Sequence, residues 1–193
     1  MVTKKILIVL AAVMLFGVSA ANADIVVLNF ESLSTPGTGY THIGPSYTED
    51  GFKLEAVPVG GLYYFNLDDK NFAGSTALFH MAPYGACNAM LTHTGGLTFD
   101  LLSIDLSEML SDQPGYELKL LGTKSDGSTV ISSFSLDGVF GFETFTPQGF
   151  TDLTALMLDR VGHQYDNITL DVIPEPATIL LFGLGSLLLR RLK

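Results

Sequence analysis

The sequence predicts one antiparallel β-sandwich set between two addressing segments. Three observations carry this reading. Apolar or alternating runs five to ten residues long recur between residues 24 and 171, punctuated by Gly, Pro and Asp. That stretch sustains no helical period. Both ends instead carry apolar runs with basic flanks, a pattern that addresses a chain rather than building a core.

Residues 1–23 read as a signal peptide. Lys4-Lys5 precede an apolar run of 13 residues, Ile6 to Val18, and Ala21-Asn22-Ala23 gives the small-x-small stretch read by signal peptidase. Cleavage after Ala23 would leave Asp24, the first acidic residue, as the new N-terminus. A run of that length rises about 20 Å against a hydrocarbon core of roughly 30 Å, which argues against a retained span. No Cys follows the run, so a lipoprotein anchor is not expected.

The body, residues 24–171, reads as strand after strand. Ile25 to Phe30 is continuously apolar apart from Asn29, and Gly51 to Val57 alternates. Leu97 to Leu106 alternates with a slip at Leu101-Leu102 that predicts a bulge. Tyr116–Leu121 and Ser128–Phe134 read as a hairpin turning at Ser125-Asp126-Gly127. Thr154–Leu158 and Tyr165–Val172 are two more strands, joined around Gly162-His163. About eight strands in a body of this size predict a jelly roll.

Charge narrows the partners. Between Asp24 and Ile173 five basic residues face nineteen acidic ones, a net of −14. Such a body repels phosphate backbones, so no nucleic acid partner is expected. The single Cys87 rules out a disulfide framework and a thiolate cluster within one chain; it is expected to be buried, or else to cross-link two molecules.

Residues 172–193 form the second addressing segment. Pro174-Glu175-Pro176 precedes an apolar stretch from Ala177 to Leu189, and Arg190-Arg191-Leu192-Lys193 closes the chain. This predicts a short hydrophobic helix with a basic stop, making transient contact with a membrane.

That three-part tail resembles the PEP-CTERM sorting signal. The resemblance implies export, anchoring by the tail in the inner membrane, and recognition of Pro174, Glu175 and Pro176 by an exosortase-type transpeptidase that cuts near them. The surface or extracellular proteins so delivered accompany exopolysaccharide and biofilm matrix. The body is similar to galactose-binding-like jelly rolls through Asn29-Phe30-Glu31, Tyr47-x-x-x-Gly51-Phe52, Phe99-Asp100-Leu101-x-Ser103 and Asp166-Asn167-Ile168. That resemblance implies a structural calcium and carbohydrate binding, although the chain has no Trp.

Candidate chemistry follows. Glu31 after the first strand and Asp166-Asn167 in the last would lie side by side if terminal strands meet, offering hard oxygens to Ca²⁺; the alternative is a solvated Glu31 and a turn at Asp166-Asn167. Asp68-Asp69-Lys70 is expected as a turn. Tyr40, Tyr47, Tyr63, Tyr64 and Tyr84 are the candidate sugar-stacking rings. His42, His80, His93 and His163 lack ligand spacing and are expected in loops or at the surface. No nucleophile motif, zinc motif or phosphate loop occurs in the body, so no catalytic residue is assigned. The reading is an exported, non-enzymatic surface or matrix protein binding exopolysaccharide with calcium support. A purely structural acidic matrix component and a polysaccharide-degrading jelly-roll enzyme stay open as alternatives.

Overall fold

The segment Phe52-Lys-Leu-Glu-Ala-Val57 shows the pattern becoming structure. Phe52, Leu54 and Ala56 point into the core, while Lys53 and Glu55 pair on the opposite face at 3.0 Å. In the computed structural model, which describes residues 24–83, 87–159 and 162–173, thirteen strands form an all-β jelly-roll sandwich. The first five are β1 (Asp24–Leu28), β2 (Tyr40–Gly44), β3 (Ser46–Glu49), β4 (Phe52–Val57) and β5 (Gly61–Phe65). Next come β6 (Leu78–Met81), β7 (Asn88–His93), β8 (Thr98–Glu108) and β9 (Glu117–Lys124). The last are β10 (Thr129–Ser135), β11 (Glu143–Phe145), β12 (Leu153–Leu158) and β13 (His163–Ile173).

Asp24–Val172 is one compact unit. The expected signal peptide, the Pro174-Glu175-Pro176 tripeptide and the hydrophobic C-terminal helix lie outside the described residues. Among the described residues no helix is long and apolar enough to cross a membrane.

The strands follow one path, β2-β5-β6-β13-β8-β12-β7-β4-β3, with β9 beside β12 and β10 beside β9. Leu62 and Tyr64 near one end of this path and Phe52 and Leu54 near the other belong to the same core cluster. The sheet therefore folds over on itself, and its two halves close on one core. β8 joins the two halves, lying between β13 and β12 in the path; Phe99 pairs with Leu153 of β12, and Ile104–Leu106 also pair with the off-path β11. Its inward positions are Phe99 and Leu101, then Ile104 and Leu106, with Leu102 exposed between them. This change of parity is the irregularity expected at Leu101-Leu102.

β13 changes parity in the same way. Tyr165 is in the core, and so are Ile168, Leu170 and Val172. Two residues, Asp166 and Asn167, occupy the place of one, and Asn167 takes a left-handed φ of 44°. Before this bulge β13 pairs with β6 at Tyr165↔Leu78; after it, Ile168–Val172 pair with β1.

Two histidines correct the expectation of surface or loop positions. His80 lies in β6 and His163 opens β13, both at 0% exposure. Extending the Tyr165↔Leu78 register by two residues puts His163 opposite His80, and their rings are 5.6 Å apart. Tyr165 completes the cluster, with its ring about equidistant from both at 6.0 and 5.9 Å. Neither His163 nitrogen has a hydrogen-bond partner among the described residues. Burial, then the neighbouring His80, pushes the His163 pKa down to about 3. Cys87 is buried too, with its sulfur so close to Gly60 that a Cβ there would lie 2.4 Å from it.

A folded-state pKa below the unfolded value near 6.5 means that the unfolded chain takes up the His163 proton first. Stability therefore falls as pH drops below about 6.5, approaching 1.4 kcal/mol per unit for this one group. Urea unfolding from pH 8 to pH 4 should show that decline as a difference between parent and His163→Leu that grows toward pH 4, since other buried groups titrate in both proteins alike. An unchanged slope in the variant would remove His163 from the account.

Candidate functional site

The β13 bulge gathers one candidate region. Asp166, at 1% exposure, accepts the Asn167 N–H at 2.7 Å on one oxygen and the Ser75 hydroxyl on the other. The next residue, Thr76, donates its N–H to Glu31 Oε1 at 3.0 Å and its hydroxyl to Oε2 at 3.2 Å. Asn167 Nδ2 donates to Asp105 Oδ2 at 2.9 Å. Ser75-Thr76 thus bridges Asp166 to Glu31, while Asn167 turns toward Asp105.

Burial raises the Asp166 pKa to about 6; the Ser75 hydroxyl and the Asn167 N–H oppose this, and the Glu31 and Asp105 charges add to it. The side chains that these bonds join offer carboxylate, hydroxyl and amide oxygens. That chemistry suits calcium. Its carboxylates are not drawn together as closely as those of Glu108, Asp137 and Glu143, whose ligand atoms lie within 4.8 Å of one another.

The second candidate region is a row of rings across β2, β5 and β6. The register sets His42 opposite Tyr63, Tyr63 opposite Phe79, and Tyr40 opposite Phe65. Tyr63 stacks on His42 at 4.6 Å and on Phe79 at 5.6 Å; Tyr40 meets Tyr63 edge-on at 5.7 Å. Leu62, Tyr64 and Leu78 alternate with these residues and enter the core, so the row occupies the opposite face. Tyr40 is 57% exposed, His42 is exposed and Tyr63 half-buried, while Phe65 and Phe79 are buried beneath them. β2 ends the strand path, so the row sits at a sheet edge.

The other expected residues serve the scaffold. Tyr64 is buried and its hydroxyl bonds Thr35 at 2.7 Å; that of Tyr47 meets Ser32 at 2.9 Å. Tyr84 lies outside the described residues, as do Ala21, Ala23 and the Pro174-Glu175-Pro176 motif. Asp68 and Asp69 follow β5 and accept the N–H groups of Gly37 and Gly39 at 2.9 and 2.7 Å, fixing the approach to β2. His93 Nδ1 accepts from Gly95 and Leu97.

Asp166 offers a direct check. Between its unfolded pKa of 3.8 and its folded value of about 6, the folded state keeps a proton that the unfolded chain has lost. Stability therefore falls as pH rises through that window and stays lower above it. Asp166→Asn should be more stable than the parent at pH 8, by up to about 3 kcal/mol, and no more stable at pH 3. Equal differences at both pH values, measured by urea unfolding, would contradict the raised pKa.

No curated protein matches the chain in sequence. Among solved structures, a family 29 carbohydrate-binding module from Piromyces equi is similar over 79% of this chain and 92% of its own, with 11% identity and a TM-score of 0.44. The CBM22-1 xylan-binding domain of Paenibacillus barcinonensis Xyn10C is similar over 82% and 100%, with 12% identity and a TM-score of 0.36. An exo-beta-agarase is similar at 9% identity and a TM-score of 0.44 over 78% of this chain, which spans only 26% of that enzyme. Likeness at this level carries nothing about ligand or reaction. The family model of the PEP-CTERM protein-sorting motif matches residues 172–193. The chain therefore carries a PEP-CTERM sorting motif and is exported, through a membrane intermediate, to the cell surface or the extracellular space.

Proposed function

We propose that the exported protein is a non-enzymatic surface or matrix component whose sandwich, residues 24–171, binds exopolysaccharide. The supporting observation is the aromatic row, with Tyr40, His42 and Tyr63 accessible at a sheet edge. Sugar rings present C–H faces that pack on aromatic faces, and a row across three strands offers consecutive places for successive sugar units. The net charge of −14 between Asp24 and Ile173 favours a neutral polymer, or an acidic one bridged by cations.

In this reading signal peptidase removes residues 1–23, the tail anchors briefly in the inner membrane, and an exosortase-type transpeptidase cuts near Pro174-Glu175-Pro176. Calcium at Glu31, Asp166 and Asn167 offsets the stability that an ionised, buried Asp166 costs, so millimolar calcium should narrow the gap between parent and Asp166→Asn at pH 8.

Retardation in gels cast with neutral polysaccharides tests the binding surface. Tyr40→Ala with Tyr63→Ala should weaken retention roughly tenfold, ring contacts being worth about 0.5–1.5 kcal/mol each, while Tyr40→Ala alone should weaken it less and keep a cooperative unfolding transition. A parent protein retained by no polysaccharide would leave the purely structural acidic matrix component standing.

Sorting is tested separately. Intact mass of the surface form should begin at Asp24 and lack Leu189–Lys193, and Glu175→Ala should hold the chain in the inner membrane. Surface delivery of that variant at the parental level would remove Glu175 from the recognition step.

A further inference from the structure

β8 ends in a residue that its surroundings do not satisfy. Glu108 is at 0% exposure. Its Oε1 accepts the Gly138 N–H at 2.8 Å, but its Oε2 is buried and has no hydrogen-bond partner among the described residues. An unpaired carboxylate oxygen removed from water costs several kcal/mol unless an ion or a trapped water meets it.

The surroundings favour an ion. Glu143 opens β11, which the register lays against β8 with Glu143 opposite Leu106, two residues from Glu108. Asp137 follows β10, and its N–H donates to Glu143 Oε1 at 3.2 Å. Asp137 Oδ1 accepts from Val139 at 2.7 Å. Each of the three carboxylates thus spends one oxygen on an N–H of the 137–139 turn. The turn is pinned from below: a Cβ on Gly115 would stand 2.2 Å from the Leu136 carbonyl oxygen and 2.8 Å from Gly138 N.

Glu108, Asp137 and Glu143 each place a carboxylate oxygen within 4.8 Å of the other two. Among the described residues the one ion pair, Lys53–Glu55, lies in β4, so none of the described cations pairs with these three carboxylates. Three charges held this close by backbone bonds call for a cation.

We propose that Glu108, Asp137 and Glu143 bind a calcium ion, fastening the β10–β11 turn to the end of β8. The site is separate from Glu31 and Asp166 and does not depend on polysaccharide binding. Oxygen-only donors exclude a preference for zinc or copper, which take imidazole or thiolate. Calcium accepts the uneven spacing of side chains from three segments, whereas magnesium demands a tight octahedron and keeps its waters. An affinity of about 0.1–1 mM, the range of extracellular calcium modules, would keep the site filled where calcium is millimolar.

Terbium(III), a luminescent stand-in for calcium, tests the proposal on the mature exported protein. The chain has no Trp, so tyrosine must sensitise the emission. Tyr116 is near enough for the Glu108 charge, after burial, to raise the pKa of its phenol. Tyrosine-excited terbium emission is expected, displaced by millimolar calcium. Glu143→Gln, a half-buried position that keeps the acceptor for Asp137 N–H, should weaken terbium binding roughly tenfold or more, as should the exposed Asp137→Asn. In an Asp166→Asn background, which removes the separate Glu31–Asp166 candidate, the emission should persist, and adding Tyr116→Phe should then lose it while calorimetry still records calcium binding. In that background, emission that survives Tyr116→Phe, or affinity unchanged by Glu143→Gln, would place the ion elsewhere and overturn the assignment.

Discussion

A strand whose inward positions change parity must carry an extra residue, and β13 makes that change between Tyr165 and Ile168. Much of the sandwich depends on this step. Before it, the strand sends Tyr165 inward beside β6; after it, Ile168, Leu170 and Val172 point inward beside β1. The two residues left over cannot both face solvent, because Ser75-Thr76 bonds across Asp166 and Glu31. A buried carboxylate with a raised pKa is thus a geometric by-product of joining two pairing partners through one strand.

The acidity of the body has a structural use beyond solubility. Glu31 takes the Thr76 N–H, Glu49 takes those of Asn29 and Phe30, Asp100 takes that of Asp152, and Glu108 takes that of Gly138. These N–H groups belong to turns and strand ends that lack ladder partners, and a carboxylate satisfies them better than a neutral acceptor. Lysine and arginine can only donate. A fold whose described residues form thirteen strands therefore uses acidic side chains to close its loops, and a low pI follows.

The alternating stretches were legible because one side faces the core and the other faces water: Phe52 to Val57 and the Glu117–Ser135 hairpin follow their patterns closely. The slip at Leu101-Leu102 was legible for the same reason, since an exposed Leu102 breaks the alternation. His80 and His163 escaped because histidine type was read ahead of position. Leu78 and Tyr165, two places away on their strands, already marked the inward side. Tyr40 and Tyr63 stood out as rings, but their union with His42 and Phe79 depends on the β2–β5–β6 register. Glu108, Asp137 and Glu143 had no local signal, since pairing of β8 with β11 brings them together across 35 residues.

Cys87 acquires a further meaning from its place against Gly60. A chain threaded outward through a membrane shows every side chain to oxidants before it folds, and this thiol disappears from view only once β4, β6 and β7 have closed around it. Its chemical state is then a record of timing. A surface population with intact thiols would have folded faster than the oxidising exterior could react, and a sulfenylated or cross-linked fraction would count the molecules that lingered open on the way out.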